Sequence, residues 1–341
     1  MGRCWTAHFS QSNQRGIVFA IWRAIRARSF FMLRPCDFLS DIPFAMLRPT
    51  GGRMTYSAEI SLDNPICILF VIDQSVAMGE KNRGRTRAQC IADALNKTIY
   101  TLVINCTKPD GVHDYVHVGV LTYGAQGTLS GFGGGLSGSN VHPISTIAST
   151  PLRFEDQSKQ EDRDAGGTFE WQSNTPVWIE PVSSGIAPMV GALTKAAEVV
   201  ADWCKSRPRS YPPTVLHLTD AASADGDPEP IAAALQRVST QDGPSLLFNL
   251  HMAARTDGAV LLPDRDSGLH DQASLLFRMS SILPTHAWRI AKDKGYVTTD
   301  KSRGCMFNAD SADILNFFEC VAPRFWMLRA RITPGHLLTG V

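Results

Sequence analysis

Hydrophobic and polar positions change rhythm several times along this chain. Residues 66–73, ICILFVID, form an unbroken apolar run closed by Asp73. That is the pattern of a short strand buried on both faces of a parallel sheet. Residues 86–103 place Ile91, Ala94, Leu95, Ile99 and Leu102 at helical spacing. Residues 115–123, YVHVGVLTY, alternate and are rich in β-formers. Residues 124–140 are rich in Gly and Ser and predict a loop or irregular hairpin, followed by a short strand within 141–147. The polar stretch 150–180 reads as an insertion or long loop. Residues 188–206 carry the strongest helical pattern, with Pro188 in its first turn. TVLHLTD, 214–220, then repeats the opening motif of an apolar run closed by an acid, here Asp220. A helix over 228–239, a strand over 245–253, a helix over 270–281 and a strand–helix pair over 303–321 follow, the last helix capped by Asn308 or Asp310. Strands alternating with helices predict an α/β fold, a central and mostly parallel sheet with helices on both faces.

Two of the strands end in Asp. In a parallel sheet both ends fall on one edge, so Asp73 and Asp220 can converge, and Ser75 adds a hydroxyl two residues past the first. Carboxylates with hydroxyls favour Mg²⁺ or Mn²⁺ over zinc, because hard cations take oxygen ligands. Taken singly, each Asp is also a common turn former or helix cap. Gly133-x-Gly135-x-x-Gly138 matches a dinucleotide fingerprint by letter, but Pro143 and a Ser/Asn run follow it instead of a helix. Asp225-Gly226-Asp227 lacks the rest of a calcium loop and reads as a turn beside the site. His217 lies on an apolar strand and reads as a satisfied core histidine; His113 and His117 flank a strand without partners. Phe169, Trp171 and Trp178 are either core or interface anchors.

Composition narrows the class. The chain has 341 residues, 44% of them apolar, and a net charge of +1, which gives no reason to expect nucleic acid as a partner. The charge is uneven. Residues 1–53 hold eight Arg, no Lys, two Asp and no Glu, whereas 54–341 carry 25 basic and 30 acidic residues. The head could be a transit peptide by composition, but Arg23, Arg26 and Arg28 follow the apolar patch Gly16–Trp22, unlike a secretory signal, and no clean small-residue cleavage site ends it. The break in composition favours a third reading, a true start at Met54. The eight cysteines show neither CxxC pairs nor zinc spacing and read as buried thiols in a reducing, cytoplasmic compartment. No apolar run reaches transmembrane length, so no membrane association is expected.

The motifs in order carry a resemblance. DQSVAM (73–78) resembles the DxSxS motif of von Willebrand factor type A (VWA) domains. SGIAPMVGAL (184–193) resembles the family's Gly-x-Thr-Pro-Met segment, and LTDAASADGDP (218–228) its third motif. RGCMFNAD (303–310) is similar to the closing segment of bacterial intracellular VWA proteins associated with tellurite resistance. The resemblance covers about 60–325, leaving 1–53 as an extension and 326–341 as a tail. It implies a Rossmann-like fold with a metal-ion-dependent adhesion site, where an acidic group of a protein partner completes the cation's shell. Asp73, Ser75 and Asp220 match three ligand positions. Ala77 stands where the family has Ser and Ala187 where it has Thr, so the site is degenerate and Mg²⁺ binding is expected to be weak or absent.

The function implied is a protein–protein interaction or regulatory module, not an enzyme, that recruits a partner in a bacterial stress or signalling system. The alternative is a metal-dependent phosphotransfer or hydrolase centre at the same edge. That needs a nucleophile or base beside the two carboxylates, and no Ser–His pair, Cys–His pair or Lys is placed for it.

Overall fold

The computed structural model describes residues 56–82, 84–163, 167–220, 222–252, 258–308 and 311–321, without the side chains of 82, 157–163, 167–173 and 311–312. All of them belong to one compact unit, Phe44–Val341. The expected extension over 1–53, the start at Met54 and the tail over 326–341 lie outside the described residues.

The elements run β1 (Ile66–Asp73), α1 (Arg87–Cys106), β2 (Val116–Gly124), β3 (Gly127–Ser130), β4 (Val141–Pro143), α2 (Ile144–Ser149), β5 (Arg153–Arg163), β6 (Gly167–Val177) and α3 (Met189–Ser206). Then come β7 (Thr214–Thr219), α4 (Glu229–Leu235), β8 (Leu246–His251), β9 (Val260–Leu261), α5 (Asp271–Met279), α6 (Thr285–Asp293), β10 (Cys305–Phe307) and α7 (Ser311–Val321). Among the described residues, one sheet has the order β9-β10-β8-β7-β1-β2-β3, with β4 also paired to β2. β10, β8, β7, β1 and β2 are parallel, and β9, β3 and β4 add antiparallel margins.

β1 is apolar from Ile66 to Ile72 because helices cover both of its faces. Ile66, Ile68, Phe70 and Ile72 share one core with Ile91, Leu95 and Ile99 of α1 and Phe317 and Phe318 of α7. Phe70 meets Phe318 edge-on at 5.4 Å between centroids. On the other face His117 of β2 packs on Trp203 of α3 at 5.1 Å. Asn249 of β8 donates to the Leu276 carbonyl of α5. The helices start where local chemistry directs. Thr86 accepts from the Gln89 N–H while the Gln89 side chain accepts from the Thr86 N–H, a reciprocal capping box that sets the first turn of α1.

Three expectations change. The stretch 150–180 is not a long loop: β5 and β6 pair over eleven residues each as an antiparallel hairpin outside the main sheet. Its polar sequence lacks the apolar stripe that marks a strand packed on a core. The hairpin's end is anchored by Trp178, which is buried and donates its indole N–H to the Ile147 carbonyl at 2.8 Å. Trp178 is therefore core, while the side chains of Phe169 and Trp171 lie outside the described residues. The helix α6 was not anticipated, and the 141–147 stretch divides into strand β4 and the start of α2. Asn308 adopts a left-handed conformation, φ +56°, just after β10, and Asp310 is outside the described residues. The cysteines among the described residues are free, as expected.

Candidate functional site

The chain leaves β1, forms β2 on one side, and returns to place β7 on the other. The strand order therefore reverses at β1, and the crevice beyond the carboxyl ends of β1 and β7 is where an open α/β sheet receives ligands. Asp73 is the last residue of β1 and Asp220 the first beyond β7, so the topology brings the two predicted acids to this crevice.

Asp73 is buried, and both its carboxylate oxygens are engaged. Oδ1 accepts from the Ser75 N–H at 2.7 Å, and Oδ2 accepts from the Thr219 hydroxyl at 2.7 Å. Thr219 reaches it because the parallel register sets Ile72 opposite Leu218. The Ser75 hydroxyl is also buried but makes no hydrogen bond among the described residues. Ala77 contributes its carbonyl oxygen, which accepts from Arg87 Nη1 at 3.0 Å. Arg87 Nη1 also pairs with Asp220 Oδ2, and Nη2 lies 3.1 Å from Glu80 Oε2. The Arg87 side chain is 6% exposed and that of Asp220 8%, so this is a buried pair, for which full desolvation has to be offset. His251 Nε2 lies 3.8 Å from Asp220 Oδ1, and its ring packs against His270 and Phe307. Burial pushes the Asp220 carboxyl up to about 7 against the pull of Arg87, with the charges of Glu80 and Asp73 adding to the rise.

Ala187 is buried, and its carbonyl accepts from the Met189 and Ala224 N–H groups. It thereby ties the start of α3 to the loop after β7. Asp225 of that loop accepts from the Val190 and Gly191 N–H groups at 2.9 and 2.8 Å. The carboxylate satisfies orphan donors and meets the positive end of α3, so the expected turn beside the site is also a helix cap. The segment 184–186 is stitched to the β1 loop by Ser184 N–H to the Gln74 carbonyl at 2.6 Å and Val76 N–H to the Gly185 carbonyl at 3.0 Å. Gly185 is required here: its φ is +78° and an added Cβ would stand 2.4 Å from Ala125 Cα. This stitching leaves Val76 67%, Ile186 64% and Val182 43% exposed along the rim. Val182 and Asp73 also line one small hollow with Gln74 and Ala88.

Behind the acids runs a neutral chain. Tyr123 donates to His217 Nε2 at 2.7 Å, His217 Nδ1 donates to Asn249 Oδ1 at 2.8 Å, and Asn249 Nδ2 donates to Ser280 Oγ at 2.8 Å. Burial lowers the His217 pKa and keeps the ring neutral. His217 is thus a satisfied core histidine, as its sequence context implied. His113, expected to be unpaired, instead contacts Asp110 at 2.9 Å, because Asp110 sits in the tight turn three residues before it.

The structure brings Asp73, Ser75, Ala77, Asp220 and Ala187 to one edge. Sequence reasoning missed Arg87, Glu80 and Thr219. Arg87 did leave a signal: it is a cation at the first position of a helix, where the dipole favours an anion.

No family model and no curated protein matches the sequence. Among solved structures the chain is similar to proximal thread matrix protein 1 from the mussel byssus, with 12% identity and a TM-score of 0.37 over 77% of this chain and 48% of that one. It therefore spans about half the length of that protein. It is also similar to the SpRpn10 VWA domain, with 12% identity and a TM-score of 0.34 over 56% of this chain and 77% of that one. A third is the manganese-loaded Plasmodium vivax TRAP protein, with 11% identity and a TM-score of 0.36 over 79% and 78% of the two chains.

Proposed function

We propose that this chain is a protein-binding module of VWA type that receives its partner at the carboxyl edge of β1 and β7. One observation carries the reading. The switch point of the sheet collects Asp73, Ser75 and Asp220 and surrounds them with the exposed apolar side chains Val76, Val182 and Ile186. Exposed apolar groups rimming a polar centre are what a protein interface buries. The first three sequence motifs border this edge, after β1, before α3 and after β7, in the order that the VWA resemblance implies. A place in a bacterial stress or signalling system rests on that resemblance alone. Binding is favoured over catalysis because the groups beside the acids are committed to one another: Arg87 to Asp220 and Glu80, and Thr219 to Asp73. Among the described residues, no helix is long and apolar enough to cross a membrane.

The test is affinity capture from native lysate with the full tagged chain and with Val76→Asp/Ile186→Asp. Both substitutions sit on exposed positions, so the melting temperature is expected to be unchanged. A partner held by the parent and lost by the double variant supports the reading. Equal recovery on both baits removes this edge as the interface.

A further inference from the structure

Two buried carboxylates at neighbouring strand ends need a positive charge nearby, because like charges out of water raise one another's energy. In this chain a side chain is already there. Arg87 reaches from the first turn of α1 to Asp220, to Glu80 and to the carbonyl of Ala77. We propose that the Arg87 guanidinium takes the place of a divalent cation, so that the site engages its partner without metal. The inference rests on reading this edge as a VWA-type site.

Three observations point the same way. Arg is seldom this buried unless paired, and the Arg87 side chain is 6% exposed. Its position at the first residue of a helix sets a cation against the positive end of the macrodipole. A local rule broken in this manner is offset elsewhere, here by three acceptors converging on one guanidinium. Finally, the oxygen donors no longer fit a hard cation. Both Asp73 oxygens accept hydrogen bonds from within the fold, Asp220 Oδ2 is taken by Arg87, and Ala77 and Ala187 offer no side-chain oxygen. The Ser75 hydroxyl is left uncommitted and Asp220 Oδ1 has only His251 Nε2 at 3.8 Å, two oxygens where Mg²⁺ demands an octahedron of about six. Among the described residues, no three His, Cys, Asp or Glu side chains are grouped to hold a metal. With its charge neutralised by Asp220 and Glu80, Arg87 offers no free cation to an acidic partner, and recognition passes to the apolar rim.

The experiment is calorimetric melting of the full chain against MnCl₂. The parent and Ala77→Ser/Ala187→Thr, which restores the two missing hydroxyls, are both expected to melt at the same temperature with and without Mn²⁺. Adding Arg87→Met to the restored pair empties the seat, and its Tm is expected to rise with Mn²⁺ and saturate. Adding Asp73→Asn to that triple variant is expected to abolish the rise. A Mn²⁺ response in the parent, or in the restored pair with Arg87 in place, overturns the proposal, as does a folded triple variant that stays silent. Should the triple variant fail to fold, the restored pair still decides: silence supports and response overturns. Partner capture by the parent is expected to be equal in Mg²⁺ and in EDTA. The titration contains no partner, and both capture baits retain Arg87, so this proposal and the interface fail separately.

Discussion

Two buried polar clusters flank β1, and they solve the same problem differently. Behind the sheet edge, Tyr123, His217, Asn249 and Ser280 form a neutral chain in which each link has a donor and an acceptor. At the edge, Asp73, Asp220, Arg87 and Glu80 form a charged cluster with one hydroxyl left over and one carboxyl pushed up to about 7. The neutral chain needs nothing from outside and rigidifies the sheet. The charged cluster sets one guanidinium against three carboxyl groups and is strained by desolvation, the condition in which a site responds to a ligand or to pH. The contrast separates a structural use of buried polarity from a functional one within two neighbouring strands.

The largest expected effect breaks the charged side. Arg87→Ala leaves Asp220 buried without its countercharge and is expected to lower stability by about 3–5 kcal/mol, read from urea unfolding. Little or no loss would mean that the pair is solvated in solution. Next comes the neutral side. Asn249→Leu keeps the volume but strands the buried His217 Nδ1–H, while the Ser280 hydroxyl keeps its bond to the Leu276 carbonyl, at an expected cost of about 1–3 kcal/mol. Asp225→Ala removes the carboxylate from the first-turn N–H groups of α3 and is expected to cost about 1 kcal/mol, within the range of lost caps. Its effect on capture of a partner separates loop position from charge.

The last effect is a slope. The Asp220 pKa is raised in the fold, so between the ordinary carboxylate range and about pH 7 the native state holds a proton that the unfolded chain has released. Asp220 therefore favours the fold at low pH and progressively loses that contribution as pH climbs to about 7, after which its effect is flat. Buried histidines act in the opposite sense. His117, held down to about 4 by burial, costs stability as pH falls below the ordinary imidazole range. The measurement is thus the difference in unfolding free energy between the parent and Asp220→Asn, which cancels histidines away from Asp220 such as His117. It is expected to shrink with rising pH up to about 7, and a flat difference would show that Arg87 keeps Asp220 ionised throughout.

Legibility tracked the physical origin of each element. β1 was readable to the residue because burial on both faces makes its apolar run continuous. α1 and α3 were readable because one face packs on the sheet and the spacing shows it. The hairpin β5–β6 was missed because a two-stranded ribbon outside the main sheet carries no such stripe. α4 proved shorter than its pattern, ending at Leu235 and not at 239. In the site, Asp73, Ser75, Asp220, Ala77 and Ala187 were identifiable because motif and strand end coincide. Arg87 was not, since it pairs with Asp220 across 133 positions of sequence.

By itself the sequence determined the alternation of strands and helices, the two acids at strand ends, and the loss of hydroxyls at Ala77 and Ala187. These follow from local periodicity and from side-chain identity, which need no knowledge of the rest of the chain. The tertiary structure alone decided which strands are neighbours, that the order reverses at β1, and that Arg87 fills the space between Asp220 and Ala77. Those facts depend on contacts between distant segments, where packing and desolvation set the balance and no local pattern records the outcome.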